Sequence, residues 1–234
     1  FKIVDTRAGA GIIVDNLDFS STGISDLANA VLVDINGQGP GVMYECTFTG
    51  MGWADEFIHI NGWGAGSDTG WTTDSGATLQ GSSNIFYFED CTFTADTGQL
   101  GVAWMQAYYG ARYCLRYNVF DQVSTDAHGT PGNIGARWWE IYENVSQNTV
   151  SGSNMHYLAS QRAGSGVIFN NTVPSGSGDV CLCEEDSGYP ALYQIGRGLN
   201  QVLDPAYVWN NETIIVKRVS PIVYSIYHRS PPFS

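Results

Sequence analysis

Apolar and polar positions repeat along this chain as one phrase. It runs as an apolar residue, two or three β-formers, an acidic residue or Asn, an Asn or Cys, then Thr or Val and Phe or Val. The phrase appears as Ile12-Ile13-Val14-Asp15-Asn16, Val42-Met43-Tyr44-Glu45-Cys46-Thr47-Phe48 and Tyr87-Phe88-Glu89-Asp90-Cys91-Thr92-Phe93. It returns as Cys114-Leu115-Arg116-Tyr117-Asn118-Val119-Phe120, Glu140-Ile141-Tyr142-Glu143-Asn144-Val145, Val167-Ile168-Phe169-Asn170-Asn171-Thr172-Val173 and Tyr207-Val208-Trp209-Asn210-Asn211. Anchored on the Asn/Cys position, at 16, 46, 91, 118, 144, 171 and 211, the gaps are 30, 45, 27, 26, 27 and 40 residues. The near-constant 26 to 30 predicts one coil per repeat. The two long gaps hold either one coil with an insertion or two coils of which one is cryptic.

Three residues before each anchor stand Ile13, Met43, Phe88, Leu115, Ile141, Ile168 and Val208, all apolar. One residue before it the column is nearly all polar. A coil cannot bury its inner face alone, but stacked neighbours complete a common core. Strands stacked about 4.8 Å apart then turn the anchors into a ladder. Asn suits that place because its amide can bond along the stack and because it tolerates left-handed turns. Cys fills it as a small apolar group. An antiparallel sandwich or barrel would show turn signals every 8–12 residues instead. The pattern therefore predicts an all-β parallel solenoid.

It reads as a single domain over 1–214. A Gly/Trp-rich excursion occupies about 50–80, around Gly62-Trp63-Gly64-Ala65-Gly66-Ser67, and 215–234 forms a C-terminal tail or capping segment. Phe1-Lys2-Ile3-Val4 reads like the middle of a strand, so the chain is expected to be mature or cut from something longer.

Composition agrees with strands and turns. There are 28 glycines, 13% aromatic residues and only 14% charged ones, with 43% hydrophobic residues for a core. The net charge is −13 and the only lysines are Lys2 and Lys217. Binding to a nucleic-acid backbone needs Lys/Arg clusters, which are missing. An acidic polysaccharide would be repelled unless a cation bridged it. No apolar stretch reaches the roughly 18 residues of a membrane span. Of five cysteines, Cys46 and Cys91 share a context and Cys181 and Cys183 are too close for an unstrained bridge, so buried free thiols are expected. Sequons at Asn144, Asn170 and Asn211 are no more than an Asn-rich chain yields by chance.

From about residue 79 to 213 the chain resembles the pectate-lyase-like superfamily of right-handed parallel β-helices. In particular it is similar to a poorly characterised group found in environmental and phage-like sequences. The resemblance rests on Ile85-Phe86-Tyr87-Phe88-Glu89-Asp90-Cys91-Thr92-Phe93, Gly110-Ala111-Arg112-Tyr113, Asp126-Ala127-His128-Gly129-Thr130 and Trp139-Glu140-Ile141-Tyr142-Glu143-Asn144. Arg162-Ala163-Gly164-Ser165-Gly166-Val167-Ile168-Phe169-Asn170-Asn171-Thr172 and Gln194-Ile195-Gly196-Arg197-Gly198 complete it. It implies a right-handed coil. It leaves function open, since the superfamily holds polysaccharide lyases, glycoside hydrolases, esterases, phage tailspikes and adhesins without catalysis.

Candidate chemistry gathers between 112 and 162: Arg112, Asp121, Asp126, His128, Arg137, Glu140 and Arg162. Arg112 and Arg137 lie six and seven residues before their anchors and are expected on one flank, a coil apart. In a glycoside hydrolase, Asp126 with Asp121 or Glu140 would supply the two carboxylates. In a lyase, His128 or an Arg would take the proton beside a uronate carboxylate that an Arg or Ca²⁺ neutralises. Against these stand plainer readings. The arginines pair with carboxylates on the next coil, Asp126 and His128 cap a turn, and Glu140 faces solvent or an Arg. Glu184-Glu185-Asp186 is a solvated acidic loop or, alternatively, a Ca²⁺ site; no cofactor is required otherwise.

Aromatics form a second lead. Trp53, Trp63, Trp71, Trp104, Tyr108, Tyr109, Trp138 and Trp139 exceed what a narrow interior holds, and exposed rings stack on sugars or meet other chains. Trp104, Tyr108, Tyr109, Trp138 and Arg112 are the expected substrate-binding set. Only two Thr-x-Thr runs exist, Thr47-Phe48-Thr49 and Thr92-Phe93-Thr94, too few for an ice-binding face. Two functions remain. One is an extracellular, cell-surface or virion-borne β-helix that binds, and in one variant cleaves, a polysaccharide or cell-surface glycan. The other is a non-catalytic structural or adhesive module such as a spike, decoration or surface-assembly subunit, for which a homotrimer is expected by analogy with phage spikes.

Overall fold

A strand whose apolar residues alternate with polar ones buries one face only when a neighbour lies against it, and here each coil is that neighbour for the next. The computed structural model describes residues 2–4, 11–20, 31–36, 39–50, 56–62, 71, 85–95, 104–127, 134–147, 157–173, 179–182, 195–197, 202, 204–212 and 216–218. Within them the chain winds as a right-handed parallel β-helix with three sheets, A, B and C, visited in that order on every turn.

The first coil holds β1 (Lys2–Val4), β2 (Ile12–Asp15) and β3 (Asp18–Ser20); the second holds β4 (Val31–Asn36), β5 (Gly41–Tyr44) and β6 (Thr47–Thr49). The third holds β7 (Glu56–Asn61), β8 (Phe86–Glu89) and β9 (Thr92–Thr94), and the fourth β10 (Trp104–Tyr108), β11 (Arg112–Arg116) and β12 (Val119–Asp121). The fifth holds β13 (Ser124–Ala127), β14 (Trp138–Tyr142) and β15 (Val145–Gln147). Then come β16 (Tyr157–Gln161) and β17 (Ser165–Phe169), β18 (Asp179–Leu182) and β19 (Tyr207–Trp209), and finally β20 (Val216–Arg218). Each strand pairs in parallel with its counterparts one coil before and after, and single bridges through Thr172 and Glu212 carry sheet C onward.

Each long gap between anchors holds one coil with extra residues. β7 lies inside the stretch expected to leave the solenoid, and β20, beyond residue 214, pairs with β18. No helix among the described residues is long and apolar enough to cross a membrane.

The corner between sheets B and C explains the repeat. It is two residues long in every coil. Its first residue is left-handed: Asn16, Glu45, Asp90, Tyr117, Glu143, Asn170 and Asn210 all have φ between 48° and 61°. The second residue is the ladder. Asn118, Asn144, Asn171 and Asn211 stack, each amide oxygen accepting from the backbone N–H of the rung before it at 2.9–3.1 Å. Each Nδ2 reaches back to the carbonyl of Phe88, Leu115, Ile141 or Ile168 at 2.9–3.1 Å. The ladder Asn is thus the bonded member of the corner and its predecessor bends the chain, whereas the repeat suggested that one Asn does both.

Cys46 and Cys91 occupy the same rung and point their thiols at the same kind of carbonyl, Cys91 Sγ lying 3.4 Å from Met43 O and 3.3 Å from Glu89 O. Burial pushes the Cys91 thiol up to about 12. Cys46, Cys91, Cys114 and Cys181 are all buried and reduced, as expected; Cys183 lies outside the described residues.

The first coil corrects the phase of the repeat by one residue. Val14, not Ile13, pairs with Met43 and faces inward; Val14 is 6% exposed and Ile13 75%. Asn16 is therefore the left-handed residue, equivalent to Glu45, and Leu17 takes the ladder place. A slip of one residue turns every side chain of a strand to the other face, so the more deeply buried alternative decides the register.

Inside, Phe19, Phe48, Phe93 and Phe120 of sheet C stack with centroids 4.6–5.0 Å apart. Offset aromatic pairs add about 0.5–1.5 kcal/mol each beyond their burial. Gly166 stands opposite Trp139, and a Cβ there would fall 1.9 Å from Trp139 O, so only glycine lets the indole lie flat against the next coil. The interior also holds a polar thread. Tyr113 donates its hydroxyl to Gln161 Oε1 at 3.0 Å, and Gln161 Nε2 faces Thr125 Oγ1 at 3.4 Å.

Candidate functional site

Alternation along sheet A sends two rows of polar side chains outward while Val33, Ile35, Ile58, Ile60, Met105 and Ala107 point in. Strand register aligns the first row as Asp34, His59, Gln106, Asp126 and Ser160, one per coil. The second row is Asn36, Asn61 and Tyr108.

The rows are wired together. Asn36 Nδ2 donates to Asp34 Oδ2 at 2.5 Å and Asn61 Nδ2 to Asn36 Oδ1 at 2.7 Å. His59 Nδ1 lies 3.3 Å from Asp34 Oδ1. The His59 ring meets Tyr108 edge-on at 4.9 Å, and the Tyr108 hydroxyl donates to Gln106 Oε1. Burial lowers the His59 pKa below its ordinary value, and Asp34 opposes that shift. At neutral pH the imidazole is therefore neutral. The carboxylate favours the proton on Nδ1, which leaves Nε2 as an acceptor.

Asp126 belongs to the same row but is committed. Arg162 grips it with both Nε, at 3.1 Å from Oδ1, and Nη2 on Oδ2. Asp34 and Asp126 stand three strands apart, about 14 Å at the usual strand spacing. That is wider than the roughly 5–9.5 Å separating the two carboxylates of glycosidases.

The other expected catalytic residues lie elsewhere. Arg112 opens β11 and pairs in register with Trp138, so Arg137 precedes the strand rather than standing opposite Arg112. Both arginines are buried; Arg137 Nη2 sits 3.2 Å from Asp204 Oδ2. Glu140 on β14 has no exposure at all and accepts from Trp138 Nε1 at 3.0 Å. It does not face solvent. Its charge adds to burial in pushing the neighbouring Cys114 thiol well up. Asp121 is buried on sheet C. Asp126 and Arg162 thus meet, while Arg112 and Glu140 lie on neighbouring strands of sheet B and Arg137 just before one of them.

Among the expected aromatics, Tyr108, Trp138, Trp71 and Trp139 are buried and Tyr109 is half-buried. The backbone of Trp104 begins β10; its side chain, His128, Trp53, Trp63 and Glu184-Glu185-Asp186 lie outside the described residues. Tyr142, Phe169 and Trp209 stack face to face down the outside of sheet B at 4.6 and 4.4 Å. Beside them Arg116 pairs with Glu89 and lies 4.9 Å over the Tyr87 ring, whose hydroxyl burial pushes up to about 12. Among the described residues no three His, Cys, Asp or Glu side chains converge as a metal site.

The repeat did not point to Asp34, Asn36, His59, Asn61 or Gln106. A signal was present: Val33-Asp34-Ile35-Asn36 and Ile58-His59-Ile60-Asn61 share one apolar-polar-apolar-Asn pattern. No protein-family model matches this chain, and neither the curated proteins nor the solved structures contain a match to it.

Proposed function

We propose that this chain is a pectate-lyase-like β-helix that holds an extended carbohydrate along the outer face of sheet A without cleaving it. It would act as an adhesive module outside the cell or on a virion. The observation that carries the reading is the pair of outward rows Asp34–His59–Gln106 and Asn36–Asn61–Tyr108, one polar or aromatic group per strand in each. Sites for sugars combine a few fixed polar groups with aromatic surface on a preformed frame, and these groups are fixed by one another. Binding without cleavage is favoured because four of the residues expected to cleave are engaged within the fold, Asp126 with Arg162, Arg137 with Asp204 and Glu140 with Trp138, while His128 lies outside the described residues.

A glycan array with the intact chain tests the reading, followed by analysis of reducing and unsaturated ends on the best-bound glycan. Binding that weakens in Gln106→Ala, with no new ends formed, is expected. New ends would replace the reading with an enzyme, and silence across the array would remove it.

A further inference from the structure

The amide chain on sheet A ends in an acceptor without a partner. Asp34 can only accept, so Asn36 must turn its Nδ2 toward it, which aims Asn36 Oδ1 at Asn61 Nδ2. The orientation of Asn61 follows: its Oδ1 faces away from Asn36 and is buried with no hydrogen-bond partner, in a residue only 5% exposed. Such orphans are rare, and each calls for a missing donor. Two residues back on the same face, His59 Nε2 is the second open acceptor, since Nδ1 turns to Asp34.

Among the described residues, the charged and titratable groups around this pair are Asp34 on β4, Tyr108 on β10 with its hydroxyl donated to Gln106, and Asp126 on β13 with its charge met by Arg162. A uronate would bring its carboxylate against Asp34 in a chain of net charge −13.

Building on the glycan-binding reading, we propose that Asn61 and His59 form a subsite that accepts hydrogen bonds from the hydroxyls of a neutral sugar. The residues divide their roles. Asn61 Oδ1 and His59 Nε2 touch the sugar, while Asp34 and Asn36 are positioning residues that hold those acceptors outward. Seating the sugar displaces whatever covers Asn61 Oδ1 and supplies the donor that folding has left out.

The test is titration calorimetry of the intact chain with four hexasaccharides: cello-, manno- and galacturono-hexaose, and hexaglucosamine. The wild type binds a neutral hexamer and rejects the galacturonate. Asn61→Leu, of similar size but without an acceptor, weakens that binding about tenfold, and Asn36→Leu does so by freeing Asn61. Asn210→Ala, on the far corner, leaves it unchanged. Should Asn61→Leu not fold, nitrogen NMR of the wild type decides, since the His59 ring nitrogen and Asn61 amide signals move on adding the neutral hexamer.

Equal binding by wild type and folded Asn61→Leu, or unmoved signals, overturns the subsite and leaves glycan binding standing, with the orphan carbonyl holding only water. Preference for galacturonate or glucosamine overturns the neutral class. Failure to bind any of the four overturns this inference, and the wider glycan reading falls only if the array is silent too.

Discussion

Replacing Asn144 by Ala tests the ladder at its best-connected rung. The amide oxygen accepts from the backbone N–H of Asn118 and from Asn118 Nδ2, both at 3.0 Å. The amide nitrogen donates to Leu115 O at 3.0 Å and Asn171 Oδ1 at 2.9 Å. Alanine removes all four. Asn118 Nδ2 keeps Phe88 O, and Asn171 Oδ1 keeps the backbone N–H of residue 144. The N–H of Asn118 loses its ladder acceptor inside a residue that is 1% exposed.

Three lost bonds at about 1 kcal/mol each and one stranded N–H at about 1–3 kcal/mol put the cost at about 4–6 kcal/mol. With a urea slope of about 3 kcal/mol/M, the midpoint falls by about 1.3–2 M. Tryptophan fluorescence and far-ultraviolet dichroism should report the same midpoint. Asn144→Asp should be worse than alanine, because it keeps the acceptor but points a carboxylate oxygen at Leu115 O and Asn171 Oδ1. A loss under 1 kcal/mol for alanine, or an Asp variant as stable as alanine, refutes the ladder as a principal brace.

Other expectations follow from the same geometry. Cys91→Asn places a stronger donor against Met43 O and Glu89 O and gives Cys46 N–H an amide acceptor, so stability should rise by about 1 kcal/mol in urea melts. A double-mutant cycle on Asp126 and Arg162 should give a coupling of about 1.5–3 kcal/mol, as a bidentate, largely buried ion pair does, while each single variant leaves glycan binding in place. Because the His59 pKa is lowered on folding, the unfolded chain takes up the proton first as pH falls. Wild type should therefore lose stability from pH 6.5 down to the depressed folded value, relative to His59→Gln. A melting-temperature difference between the two that stays constant from pH 7.5 to 5 contradicts this.

The solenoid was legible because its B–C corner is rigid. A two-residue turn with one left-handed member and one stacked amide admits no insertion, so the phrase around Asn118, Asn144 and Asn171 recurs at nearly constant phase. The reading slipped at the first coil for a physical reason. Asn16 looks like a ladder residue by type, yet it serves as the bend, and the ladder place falls to Leu17, which lacks an amide to announce itself.

Sheet A was illegible by the same logic. The separation of the corner from the next A strand varies from five residues, Asn211 to Val216, to fourteen, Leu17 to Val31, so no fixed spacing marks the outward rows. Charge points elsewhere in this sequence. Arg137, Glu140 and Arg162 stand out in a chain poor in charge, but burying an ion demands a partner. Conspicuous charges in thin coils are therefore spent on joining one coil to the next. His59 and Asn61 are the quieter kind of chemistry, acceptors whose orientation is set by their neighbours. The corner sets the rise of every coil, sheet A inherits that rise, and the rows on its outer face take their spacing from it. Along those rows the character changes from the unpartnered Asn61 Oδ1 on β7 to the closed pair of Asp126, on β13, with Arg162, so a carbohydrate lying on this face would be gripped toward the N-terminal coils.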